Sequence, residues 1–220
     1  DDLFDNAPSA SKGYTAKDIE VLEGLEPVRR RPGMYIGGTD ESALHHLAAE
    51  ILDNAMDEAV AGFANRIEVQ LDIDDVISIH DNGRGIPTDP HPKFKNKSAL
   101  EVIMTTLHSG GKFGGKVYDT SGGLHGVGSS VVNALSDWME VEVARDKHAQ
   151  MMRFERGKAV TKLKDIGAVN RRGTTVTFHP DAQIFGKDTH FSAARLYRMV
   201  KSKAYLFRGV EIRWKCDPSL

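Results

Sequence analysis

Only one cysteine, Cys216, stands in 220 residues, which excludes an internal disulfide and a cysteine-based metal cage. No apolar run approaches membrane-spanning length, and the N-terminus carries no signal-peptide pattern. A lone thiol and no membrane partner fit a reducing, cytoplasmic location. Net charge is scarce too. The formal value is -2, with a pI near 6.5, so no global electrostatic case exists for binding nucleic acid or anionic lipid. Two local basic clusters, Arg29–Arg31 and Lys93, Lys95 and Lys97, read as solvated surface. No Gly-x-x-x-x-Gly-Lys-[Ser/Thr] occurs, so this is not a P-loop protein. Glycine is the one excess, and much of it falls between Gly110 and Gly128. The length suits one large domain or two small ones, with ample residues for a core.

The strongest periodic signal is a helix from Leu44 to about Ala61, closed by Gly62, with Thr39, Asp40 or Ser42 as candidate caps. Leu44, Leu47, Ala48, Ile51, Leu52, Ala55, Met56, Ala59 and Val60 form its apolar face. His46, Glu50, Asn54 and Asp57 fall within an arc of roughly 80° beside that face. An amide in mid-helix is a poor helix former, because it competes for backbone hydrogen bonds. Here it lies one turn from a carboxylate that has a histidine one turn on its other side. Such a row can hold a hard cation through oxygen while a carboxylate handles a proton. A solvated acidic face is the ordinary alternative.

Around this helix the chain reads in order. Asp1 to Gly13 is polar and irregular, a flexible arm, and Tyr14 to Leu25 reads as a short helix. Pro27 to Gly38 reads as a structured loop. Arg66–Asp72 and Val76–His80 alternate as strands around Asp74-Asp75, a hairpin. A helix is expected over Ser98–His108, with Ser98 and Glu101 as a capping box. The glycine-rich loop from Gly110 to Thr120 looks like a lid. Ser129–Leu135 is a short helix. Trp138–Ala144, Met151–Glu155 and Thr174–Phe178 are strands, Phe191–Leu206 an amphipathic helix, and Val210–Trp214 a last strand. This order suits an α/β (α+β) two-layer sandwich, a mixed, mainly antiparallel sheet with helices on one face.

Two further stretches carry chemistry. Gly123-Leu124-His125-Gly126-Val127-Gly128 runs into a helix, where close-approaching backbone and free N–H groups can hold phosphate. As an isolated cluster it is equally a hinge. Asp81 ends a strand before Gly83-x-Gly85 and can accept a hydrogen bond from an exocyclic amine such as adenine's. Ile79, Ile86 and Ile103 can sandwich a flat ring, while the commoner role of Asp-Asn-Gly is a tight turn. The conjunction of the three features, supplying water and metal, base, and phosphates, is more specific than any one.

That ordered set resembles the ATPase domain (the GHKL, or Bergerat, fold) shared by type II topoisomerase B subunits, ninety-kilodalton heat-shock chaperones, mismatch-repair proteins and histidine kinases. "VRRRPGMYIG", "EILDNAMDEA", "DNGRGIP", "LHSGGKF" and "SGGLHGVGSSVVNALS" are similar to gyrase B or topoisomerase IV B subunits. The likeness runs from Tyr14 to about Arg213. "GLEPVRRRPGMY" and "FSAARLYRMVKSKAYLFRGVEI" are more similar to topoisomerase IV.

The resemblance implies that residues 14–220 are an ATPase domain of a longer subunit that binds ATP and Mg2+. It implies Glu50 as general base with His46 in support, and Asn54, beside Asp57, helping to hold magnesium on the triphosphate. Asp81 and Thr174 would bind the adenine end. Arg84, Gly85, Ile86, Pro87 and Ile103 would border it, with Arg84 able to stack on a ring. Lys112, Tyr118 and Gly123, Leu124, His125, Gly126, Val127 and Gly128 would form the lid and phosphate loop. Tyr14 and Ile19 would lie in an arm that reaches a partner subunit's nucleotide, in a homodimer formed on ATP binding. DNA, a topoisomerase A-type subunit, and ATP-competitive inhibitors at the adenine site are the further implied partners.

The chain also departs from the pattern. Asn82 stands where an aspartate is common, Lys93–Lys97 replaces a usually acidic stretch, and Leu220 precedes the domain expected to supply a lysine to the terminal phosphate. A mismatch-repair or chaperone ATPase predicts the same pocket without the arginine-rich loop. A nucleotide sensor needs no base at Glu50.

Overall fold

The computed structural model describes residues 24–107 and 128–220. Its longest helix, α3 (Glu41–Val60), starts where the Asp40 side chain accepts a hydrogen bond from the Ala43 N–H at 2.9 Å. Its apolar face is buried from Leu44 through Ala59 as the periodicity requires, while Val60, expected on the same face, is exposed at the end of the helix. Two short helices precede it, α1 (Glu26–Arg30) and α2 (Gly33–Ile36). They correct the reading of Pro27–Gly38 as a loop. The signals were present, since Pro27 sits in the first turn of α1 and Gly37 closes α2 in the left-handed conformation. Arg29 is likewise no solvated charge. It donates to Asp181 at 2.8 Å and to the Ala134 carbonyl at 2.8 Å, tying α1 to the helix layer.

The sheet is built from β1 (Arg66–Leu71), β2 (Ile77–Asp81), β5 (Ser136–Arg145), β6 (His148–Glu155), β9 (Gly173–Pro180) and β10 (Glu211–Cys216). The order across it is β10-β1-β2-β9-β5-β6, and short β7 (Lys158–Ala159) and β8 (Lys164–Ala168) both pair with β6. β1 and β10 are parallel, while the other described ladders are antiparallel. Ile67, Val69 and Leu71 of β1 and Ile77 and Ile79 of β2 face the helices. Glu68, Gln70, Ser78 and His80 face the other way. A one-residue slip would expose that apolar set, at about 1.5–3 kcal/mol per side chain, so the register is strongly specified.

The helix layer is completed by α4 (Ala99–Thr105), α5 (Ser129–Ala134), α6 (Ala182–Phe185) and α7 (Ala193–Leu206). Ser98 caps α4, its hydroxyl accepting from the Glu101 N–H at 3.2 Å, and the helix ends at Thr105, short of the expected His108. A small hairpin, β3 (Pro90–His91) with β4 (Phe94–Ser98), precedes α4 and takes in the lysine-rich stretch. Short strands rich in charge or glycine, such as β8, lack the alternation that would announce them. Lys203 of α7 pairs with Asp53 of α3 at 2.6 Å, which locks the two helices together.

Candidate functional site

Four elements converge on the site: the polar edge of α3, the start of α5, and the ends of β2 and β9. At one end Glu50 is only 5% exposed. His46 Nε2 lies 3.3 Å from Glu50 Oε1, and the Gly128 N–H donates to Glu50 Oε2 at 3.2 Å. One turn further along α3, the Asn54 amide N–H donates to Ser129 Oγ at 2.7 Å. That bond commits the amide nitrogen and leaves the carbonyl oxygen, the atom a hard cation prefers, as the outward acceptor. The structure therefore brings His46, Glu50, Asn54 and Gly128 together.

Asp81 stands at the other end. β2 alternates, and its core-facing positions are Ile77, Ile79 and Asp81. An aspartate thus occupies the place of an apolar residue and is 7% exposed. Burial pushes its carboxyl from 3.8 up to about 7, and the nearby Glu58 charge adds to the rise. Hydrogen bonds from the Gly83 N–H, at 2.8 Å to Oδ1, and at Thr174 act against it. Thr174 pairs with Asp81 across the ladder, and its Oγ1 accepts from the Ile86 N–H at 3.1 Å. Gly85 offers its carbonyl to Arg145 Nη1 at 3.0 Å. Ile86 and Ile103 are half-buried at the border of the core, Ile79 lies within it, and Pro87 is exposed.

Glu58 joins the two ends. It sits two turns beyond Glu50 on α3, an axial separation of about 12 Å. Its carboxylate takes both the Arg84 backbone N–H, at 3.1 Å, and the Arg84 guanidinium, at 3.2 and 2.7 Å. Arg84 stacks on Phe63, its guanidinium carbon 3.8 Å from the ring centre, so this ring is its stacking partner here. Asp57 is half-buried on the same edge of α3.

Sequence reasoning passed over Glu58, Ser129, Arg145 and Gly173. Glu58 was detectable, because Glu50, Asn54 and Glu58 repeat every four residues. Gly173 was detectable as a glycine opening a β-branched run. Its φ is +130°, and a Cβ there would stand 1.8 Å from the Asp81 carbonyl oxygen, so only glycine lets β9 approach the turn this closely. Gly83 is similar, since a Cβ there would meet Glu58 Oε2 at 2.6 Å and Asp81 Oδ1 at 2.7 Å. The candidates Tyr14, Ile19, Lys112, Tyr118, Gly123, Leu124, His125, Gly126 and Val127 lie outside the described residues, as does the lid.

Among the described residues no cluster of three or more His, Cys, Asp or Glu could hold a metal by itself. The amide oxygen of Asn54 is one neutral oxygen ligand, a donor that could serve magnesium only where waters and phosphate oxygens complete its shell. No helix among the described residues is long and apolar enough to cross a membrane.

Comparison with known proteins places the chain in a family. The chain is 65% identical to the B subunit of DNA topoisomerase 4 from Caulobacter vibrioides over 96% of its length, covering 30% of that protein. It is 63% identical to the corresponding protein of Bartonella bacilliformis over 94%, again covering 30%. With the B subunit of DNA gyrase from Thermotoga maritima it shares 51% identity over 92%, covering 31%. The chain thus spans about a third of the length of these relatives. Among solved structures, the 43K ATPase domain of Thermus thermophilus gyrase B, in complex with an aminocoumarin, superposes with a TM-score of 0.77 at 44% identity. That match covers 87% of this chain and 48% of the other. Residues 39–184, which hold α3, Asp81, Gly128 and Thr174, match one family, and the chain belongs to it: the histidine kinase-, DNA gyrase B- and HSP90-like ATPases.

Proposed function

We propose that this chain is the ATP-binding and ATP-hydrolysing domain of a type II DNA topoisomerase, from a B subunit of the topoisomerase IV kind. The observation that carries this is the pair of buried carboxylates, Glu50 on α3 and Asp81 at the end of β2, with Glu58 of α3 beside Asp81. Higher identity to the topoisomerase 4 relatives than to the gyrase relative favours the former over a gyrase B domain.

In this reading Asp81 and Thr174 take the adenine edge, and Ile86 and Ile103 border the ring. The Gly128 N–H at the start of α5, which donates to Glu50, serves the phosphate end. Asn54 holds Mg2+ through its amide oxygen, and the metal, when bound, offsets charge on the phosphates. Glu50 takes a proton from the attacking water, and His46, 3.3 Å from Oε1, orients the carboxylate. Lys112, Tyr118 and residues 123–127 close the site, and the Tyr14 arm reaches a second copy of the subunit. ATP-driven pairing of two such copies, with an A-type subunit and DNA, then drives strand passage.

The test compares nucleotide binding and turnover in the longer subunit. ATP should bind with Mg2+ dependence, Asp81→Ala should lose affinity, and Glu50→Ala should bind but not turn over. Binding of ATP unaffected by Asp81→Ala would overturn the assignment of the adenine end.

A further inference from the structure

The pleat that turns Asp81 inward turns His80 and Asn82 outward, onto the face of the sheet away from the helices. There a recess of about 380 Å3 is lined by Phe63, Arg66, His80, Asn82, Arg171 and Arg172, among others. Three guanidinium groups and an imidazole share one opening, in a chain whose net charge is slightly negative.

Neighbouring carboxylates do not fully offset them. Arg171 is hydrogen-bonded to Glu142. Arg172 is fixed on backbone, donating to the Phe63 carbonyl at 2.7 Å and the Asn82 carbonyl at 3.3 Å, so its charge is placed by neutral groups. Arg66 Nε is buried and has no hydrogen-bond partner among the described residues. It forms an ion pair with Glu68 at 3.9 Å, without a hydrogen bond, and Glu68 also faces Arg213 at 3.6 Å; the charge of Glu211 acts on Arg66 as well. His80 holds Thr175 through Nδ1 at 2.8 Å. Burial keeps His80 below the ordinary histidine range; Glu68 and Glu142 oppose this, and Arg171 and Arg66 reinforce it.

We propose that this recess binds a small oxyanion, a phosphate- or carboxylate-bearing molecule, at a site separate from the nucleotide pocket. Planar guanidinium groups, each with several N–H donors, match an oxyanion in geometry as well as charge, and Arg172 is already fixed at the recess by backbone carbonyls. The volume exceeds that of a bare phosphate, which leaves room for a compact body against Phe63. The inference does not depend on what occupies the pocket on the helix face.

Inorganic phosphate and acetate are the probes, titrated into the chain at constant ionic strength against chloride, with the His80 ring resonances followed by NMR. A saturable shift of His80 with phosphate is expected, together with a rise in its apparent pKa, because the bound anion favours the imidazolium. A matching response to acetate assigns the site to carboxylates as well; its absence restricts the ligand to phosphoryl groups. Arg66→Met should weaken the response at least tenfold, while Lys158→Met, on a distant edge of the sheet, should leave it unchanged. If Arg66→Met does not fold, Arg172→Gln carries the same comparison. Phosphate lodged at Gly128 would leave His80 undisturbed, and a silent His80 would overturn the proposal. So would a chloride response equal to that of phosphate, or phosphate affinity indifferent to both arginine substitutions.

Discussion

Glu50 and Asp81 are almost equally buried, at 5% and 7% exposed, yet their surroundings are built differently. Glu50 has a partner for each oxygen, His46 on one side and the Gly128 N–H on the other. Asp81 is supported by backbone and faces a second acid, Glu58, across Gly83. One carboxylate has a polar partner at each oxygen. The other accepts from backbone N–H groups while burial and Glu58 oppose its ionisation. In the function proposed above, comparable burial would serve proton transfer at one end and recognition at the other.

The sharpest way to break this contrast is at Glu50. In the longer subunit Glu50→Ala should retain nucleotide affinity and lose turnover by ~10²–10⁴-fold, the usual effect of removing a general base. Parallel equilibrium binding and steady-state hydrolysis decide it, and a collapse of affinity with turnover per bound ATP intact would show that Glu50 belongs to recognition instead.

Next in size is Gly173→Ala. A Cβ at 1.8 Å from the Asp81 carbonyl, at a φ of +130°, cannot be absorbed by moving a side chain. Destabilisation of about 3 kcal/mol or more is expected, with denaturant unfolding as the measurement. An unchanged midpoint would mean that β9 and the Asp81 turn are not coupled as described.

Asp81→Ala should weaken an adenine nucleotide, or a heterocycle presenting an amine donor, by one to two orders of magnitude, since a hydrogen bond to a charged group contributes about 1.5–3 kcal/mol. Calorimetric titration of both ligand types would test whether the base end is the recognising end.

A smaller effect follows from pH. The folded carboxyl of Asp81 titrates near 7 rather than 3.8, so between those values the folded chain holds a proton that the unfolded chain has lost. Its contribution to stability is therefore complete below about pH 4 and declines as pH rises to about 7, by a few kcal/mol at most. Asp81→Asn should remove that slope, read as the difference between the two unfolding profiles. Nucleotide affinity should run the other way, rising up to about tenfold per pH unit below pH 7 and levelling above it, with a proton released on binding. Smallest of all, Glu58→Gln should shift the pH midpoint of that affinity change downward by removing the like charge, while burial keeps it above the ordinary aspartate range.

Much of the fold could be read from periodicity. The apolar stripe of α3, the alternation in β1, β2 and β9, and the Ser98 cap all appear in the structure near their expected bounds. These features are local, so neighbouring residues suffice to announce them. Pro27–Gly38 went the other way. Two helices formed where proline and glycine suggested a loop, because Val28 and Ile36 find burial against distant elements.

The sequence by itself determined which residues are candidates for the chemistry: the spacing of His46, Glu50 and Asn54, the strand-end position of Asp81, and the glycines around it. Only the tertiary structure decided what surrounds them. It set Glu58 between Arg84 and Asp81, brought Gly173 against the carbonyl of Asp81 far earlier in the chain, and gathered Arg66, Arg171 and Arg172 around His80. Those relations depend on which strands pair and in what register. Pairing is settled by burying the whole inner face of the sheet at once, which no local stretch of sequence encodes.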